Sequence, residues 1–178
     1  MRRSRVLCAI LAVASLGVAC ATSFSPAAIR AEIARQTGAD PPRVFELNLG
    51  QVTMALARRV IGPGADGSLP LAGLTRLELA VYDVPTTGRS LDFTAMAVRG
   101  WEPTVRSRTS TRSTLVLVRG SGDAIGDLVL VTADEKRALY ARLTGRLSPE
   151  LPAALGEAAA VRGTDGLKQQ LLSLTGEG

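Results

Sequence analysis

The sequence predicts an α+β fold: a mostly antiparallel sheet of five or six strands with helices packed on one face. Three observations carry that expectation. Segments alternating apolar and polar residues, the period of a half-buried strand, recur between residues 43 and 147. Four of them follow one another across short turns after residue 103, which favours antiparallel pairing. Segments with apolar residues at helical spacing stand before, between and after the strands.

"SPAAIRAEIARQTG" (25–38) reads as a helix, with Ser25 as N-cap, Pro26 in the first turn, Gly38 as stop, and Ile29 and Ile33 on one face. "DPPR" (40–43) breaks the chain. "VFELNL" places Phe45, Leu47 and Leu49 on one side of a strand. "GQVTMALARRVIG" (50–62) has Val52, Ala55, Leu56 and Val60 at helical spacing, with Arg58 and Arg59 on the wetter side. The glycines and prolines of "GPGADGSLP" mark a loop.

"LTRLELAVYDV" is the clearest strand: Leu77, Leu79 and Val81 face one way, Arg76 and Glu78 the other. "SLDFTAMAVRG" (90–100) reads as a mostly buried helix, capped by Ser90, with Leu91, Ala95 and Val98 in a stripe and Gly100 as stop. "TVRSRTSTRSTLVLVR" reads as a hairpin turning near Ser110-Thr111, and the segment 124–147 as a longer one turning at Asp134-Glu135. "SPELPAALG" opens a helix capped by Ser148 and Pro149, and "TDGLKQQLLSL" puts Leu167, Leu171 and Leu174 on one helical face.

The chain start has its own logic. Arg2, Arg3 and Arg5 precede fourteen uncharged residues, "VLCAILAVASLGVA". A basic start, a short apolar run and small residues at its end describe a secretory signal peptide. The run is too short for the roughly 20 residues of a spanning helix. "LGVAC" resembles the lipobox of bacterial lipoproteins, with Gly17 where a leucine is usual. The resemblance implies that Cys20 receives a diacylglyceryl group and becomes the first residue of the mature chain. Ordinary signal cleavage is the alternative, since Gly17-Val18-Ala19 and Ala19-Cys20-Ala21 offer the small residues it needs. Cys8 leaves with the leader, so Cys20 would be an unpaired thiol in an exported chain, and lipidation gives that thiol a reason. Alanine rather than aspartate after Cys20 resembles outer-membrane sorting. The expected organisation is signal peptide 1–19, tether with short helix 20–42, α+β domain 43–158, and C-terminal helix or tail 159–178.

Composition narrows the function classes. Of 21 basic residues three lie in the leader, so the mature chain carries a net charge of about +2 and a weak case for nucleic-acid binding. About 158 residues remain, enough for one core built from Leu, Val, Ile and Ala, since aromatics are scarce. Histidine is absent, which removes the commonest general base and metal ligand, and a lone cysteine leaves no thiolate metal site. Lys136 and Lys168 fall on a turn and a terminal helix, poor places for a buried base. No cofactor and no metal are expected.

"GLTRLELAVYDVP", "GWEPTVRSR" and "LVLVTADEKRALYARLTGRLSPELPAAL" together resemble an exported bacterial family known only as a domain of unknown function (number 4252). The resemblance covers roughly residues 43–155. It implies a small α+β domain behind a signal or lipid anchor, and it carries no catalytic residues.

Binding is therefore the expected class: a lipid-anchored, non-enzymatic envelope protein that engages another protein or an envelope component, its oligomeric state open. Arg99, Arg106, Arg108 and Arg112 gather around the tryptophan and the polar hairpin, a candidate anionic-ligand patch, with Arg106 and Arg108 on one strand face. The plainer reading is a solvated sheet face whose charges resist edge aggregation. Two further readings stay open: a lipid carrier holding an acyl chain between sheet and helices, and a hydrolase using two carboxylates such as Asp83 with Glu102.

Overall fold

A computed structural model describes residues 24–51, 73–85, 90–121 and 124–173. The leader, Cys20, the helix expected over 50–62 past Gln51 and the loop that follows it lie outside the described residues.

The chain runs α1 (Pro26–Thr37), β1 (Arg43–Leu49), β2 (Leu74–Asp83), β3 (Glu102–Arg108), β4 (Ser113–Ser121), β5 (Ala124–Ala133), β6 (Arg137–Leu147) and α2 (Leu151–Ser173). The strands form one six-stranded sheet in the order β1-β2-β6-β5-β4-β3, every neighbour antiparallel. The α+β class and both hairpins are as expected. The first hairpin closes where the Thr109 N–H donates to the Arg112 carbonyl at 2.8 Å. In the second, Asp134 Oδ1 accepts from the Lys136 and Arg137 N–H groups at 2.9 Å each.

The layers differ from the expectation of helices on one face. β2, β4, β5 and β6 are apolar on both sides. Leu77, Leu79, Val81, Val116, Leu128, Leu130, Leu139 and Leu143 join Leu151, Leu155, Ala159, Leu167 and Leu171 of α2 in one core. Ala80, Tyr82, Leu115, Leu117, Val129, Val131 and Tyr140 form a second core with Phe24, with Ile29 and Ile33 of α1, and with Leu91 and Phe93. A central strand of that kind must be covered twice.

Two domain boundaries are corrected by the same packing. α1 is no tether: Ile29 and Ile33 are fully buried, and the Tyr82 and Tyr140 hydroxyls donate to the Pro26 and Phe24 carbonyls at 2.8 and 3.0 Å. Ser25 caps α1 by accepting from the Ala28 N–H at 3.3 Å, and Gly38 ends it in the left-handed region (φ 76°). At the other end, residues beyond 158 belong to the body, because Leu167 and Leu171 are buried in the same core as Leu151. α2 is two helical runs joined at Gly163, whose φ of 68° breaks the helix.

Residues 90–100 form no helix; they are extended with two turns. Asp92 is the cause. Its carboxylate accepts from the Thr94 N–H at 2.9 Å and the Thr94 hydroxyl at 2.6 Å, a local bond that competes with helix formation. The Phe93 N–H donates to Ser113 Oγ at 2.9 Å, tying the segment to β4.

Candidate functional site

The four arginines expected to form one patch are divided. Arg106 and Arg108 do share a face of the edge strand β3, but both are turned onto the 92–94 turn: Arg106 donates to the Thr94 carbonyl at 2.7 Å and Arg108 pairs with Asp92. Arg112 reaches toward α2, where its guanidinium donates to the Ala159 carbonyl at 3.2 Å and to that of Ala160, near the break at Gly163. It satisfies carbonyls that the kink leaves open. Arg99 is exposed in the turn before Trp101. Arg106, Arg108 and Arg112 fasten a loop and a helix to the sheet more than they gather a ligand.

Asp83 and Glu102 do not meet either. They sit on β2 and β3, with β6, β5 and β4 between. At roughly 4.8 Å per strand spacing, that separation is on the order of 19 Å. Asp83 instead lies 3.7 Å from Arg137. Among the described residues no three acidic, histidine or cysteine side chains are grouped to hold a metal ion.

What the sheet does assemble is a different cluster, on the α1 face but beyond the part α1 covers. Arg119 on β4, Asp127 on β5 and Arg142 and Thr144 on β6 come together because register sets Asp127 opposite both Arg119 and Thr144. Arg119 donates to Asp127 Oδ2 at 2.6 and 3.2 Å. Arg142 donates to Oδ1 at 2.9 and 3.2 Å, and the Thr144 hydroxyl to the same oxygen at 2.8 Å. Trp101 lies under both cations, its ring centre 4.8 Å from the Arg119 guanidinium carbon and 5.8 Å from that of Arg142. Phe24 meets the same indole edge-on, centroids 6.2 Å apart.

Electrostatics follow from that geometry. Burial pushes the Asp127 carboxyl up, but the hydrogen bonds from Arg119, Thr144 and Arg142 outweigh it and hold the group below the ordinary carboxylate range. A depressed folded-state pKa stabilises the fold above the ordinary value of 3.8 and loses that contribution as pH falls below it. Asp127→Asn should therefore be less stable than wild type at pH 7 by about 1–3 kcal/mol. The gap in melting temperature should narrow as the pH is lowered from about 5 to 3. Calorimetry across that range checks it, and a constant gap would contradict the assignment.

A comparison with known protein families, curated proteins and solved structures finds no match to this chain.

The sequence reading does not bring Arg119, Asp127 and Arg142 together. Opposite charges nearly equidistant from the 122–123 connection were a usable signal for the Arg119–Asp127 pair. The bulge between Arg119 and Gly120 that completes the register is invisible in sequence.

Proposed function

We propose that this chain is an exported cell-envelope protein, lipid-anchored at Cys20, that works by binding through the Trp101 end of its sheet and does no catalysis. Kinship with the exported family of unknown function (number 4252) is proposed with it, on element order and the tryptophan before a basic strand. The observation that carries the non-catalytic reading is how four of the described carboxylates, Glu32, Asp92, Asp127 and Asp134, are held. The Thr94 hydroxyl lowers Asp92, and the Arg35 guanidinium lowers Glu32. At Asp134 burial pushes up, but hydrogen bonding from the Lys136 and Arg137 N–H groups and from Thr164 together more than offsets it. With Asp127 these acids are fixed as anions by structural partners, whereas a general acid working near neutrality needs its carboxyl raised.

Anchoring has a direct test. Cells given a labelled fatty acid should incorporate it into the wild-type chain and not into Cys20→Ser. A wild-type chain that stays unlabelled would overturn the reading.

A further inference from the structure

We propose that the Trp101–Arg119–Arg142 surface rests on anionic phospholipid headgroups of the membrane that holds the chain; the proposal rests on the lipid-anchor reading. Its first support is the length of chain ahead of the described body. Phe24 is buried, its carbonyl accepts from Tyr140, and its ring lies against Trp101. Four residue steps separate Cys20 from Phe24. Even fully extended they reach about 14 Å, at roughly 3.3–3.6 Å per residue. A lipid on Cys20 therefore keeps Phe24, and the Trp101 surface beside it, close to the bilayer.

The second support is charge. Arg76, Arg99, Arg119, Arg142 and Arg146 lie on or beside this end of the sheet, against Glu78, Glu102 and Asp127. Arg146 is exposed, and no hydrogen bond or ion pair ties its guanidinium to a described residue. Between Arg119 and Arg146 lies a depression of about 540 Å³, lined also by Gly120, Ile125, Gly126, Asp127 and Gly145. Guanidiniums match phosphate oxygens in pairs, and an indole with one apolar and one polar edge suits the headgroup region. Basic residues near an anionic surface are drawn to it within a Debye length.

Trp101 is the sole tryptophan, so its emission reports this surface without interference. Purified full-length wild-type protein, processed by its host, is reconstituted into vesicles of phosphatidylcholine with phosphatidylglycerol, or of phosphatidylcholine alone. Both carry brominated acyl chains, and the protein's N-terminal mass is read from the same sample. With the anionic lipid, emission should shift to the blue and bromine quenching should exceed that in neutral vesicles by at least about twofold, an excess that high salt removes. Arg146→Gln, at an exposed position, should reduce the excess without changing the melting temperature. Equal quenching in both vesicle types overturns the proposal. So does a Trp101 already shielded from a water-soluble quencher without lipid, as residues 52–72 lying over it would produce, or one shielded only on adding an envelope protein extract. If the mass shows no lipid, the anchor reading fails by itself. Chain added to vesicles from solution then tests the surface alone: binding to anionic but not neutral vesicles supports it, and binding to neither overturns it.

Discussion

Ile33→Asp is expected to leave the protein unfolded or aggregated at physiological temperature. Ile33 is fully buried among residues that include Tyr82, Phe93 and Tyr140. Truncating such a residue to alanine costs about 2–5 kcal/mol. Aspartate adds the burial of a charge with no cation in the apolar cluster around it. The total rivals the roughly 5–15 kcal/mol that holds an ordinary domain together. Circular dichroism and a denaturant titration read the outcome. If residues 20–42 were merely a tether, Ile33→Asp would melt like wild type, so the experiment separates the two organisations. Arg35→Ala, on an exposed position of the same helix, should change stability little.

The second large effect is at the sheet end near Trp101. Gly145 lies opposite Leu74, where β2 bulges before Arg76, with its own φ at 153°. A Cβ there would overlap the Gly73 carbonyl oxygen and stand 2.9 Å from Leu74 Cα and Thr75 N. All three are backbone atoms, at the start of β2 and in the turn before it, so no side chain can swing aside. Gly145→Ala should cost about 3–5 kcal/mol through strain and overpacking. Gly126→Ala is the matched control: among the described residues its Cβ would meet only the Arg119 carbonyl oxygen, at 3.5 Å. A midpoint shift in urea for Gly145→Ala no larger than that of Gly126→Ala would contradict the packing described.

The parts of the fold legible in sequence are those whose cause is local. β2 alternates over ten residues, and the turn at Asp134 carries its own acceptor for two N–H groups. α1 announces its ends through Ser25, Pro26 and Gly38. Its docking was not legible, because the hydroxyls that hold its start come from Tyr82 and Tyr140, the latter 116 residues from its acceptor. Leu91, Ala95 and Val98 have helical spacing, yet Asp92 and Thr94 favour a turn that contacts with Ser113, Gln36, Arg106 and Arg108 secure. The expected arginine patch failed for a related reason. Nearness along the chain suggested a cluster, while strand direction sent Arg106 and Arg108 to one turn and Arg112 to α2. Trp101 and its two cations come from β4, β6 and the segment before β3. Register alone unites them.

Lipidation at Cys20 is tested most directly by the mass of the N-terminal peptide of protein isolated from its own membranes. It predicts a chain beginning at Cys20 with a thioether-linked diacylglyceryl group. A peptide beginning elsewhere, or at Cys20 with an unmodified thiol, would contradict it.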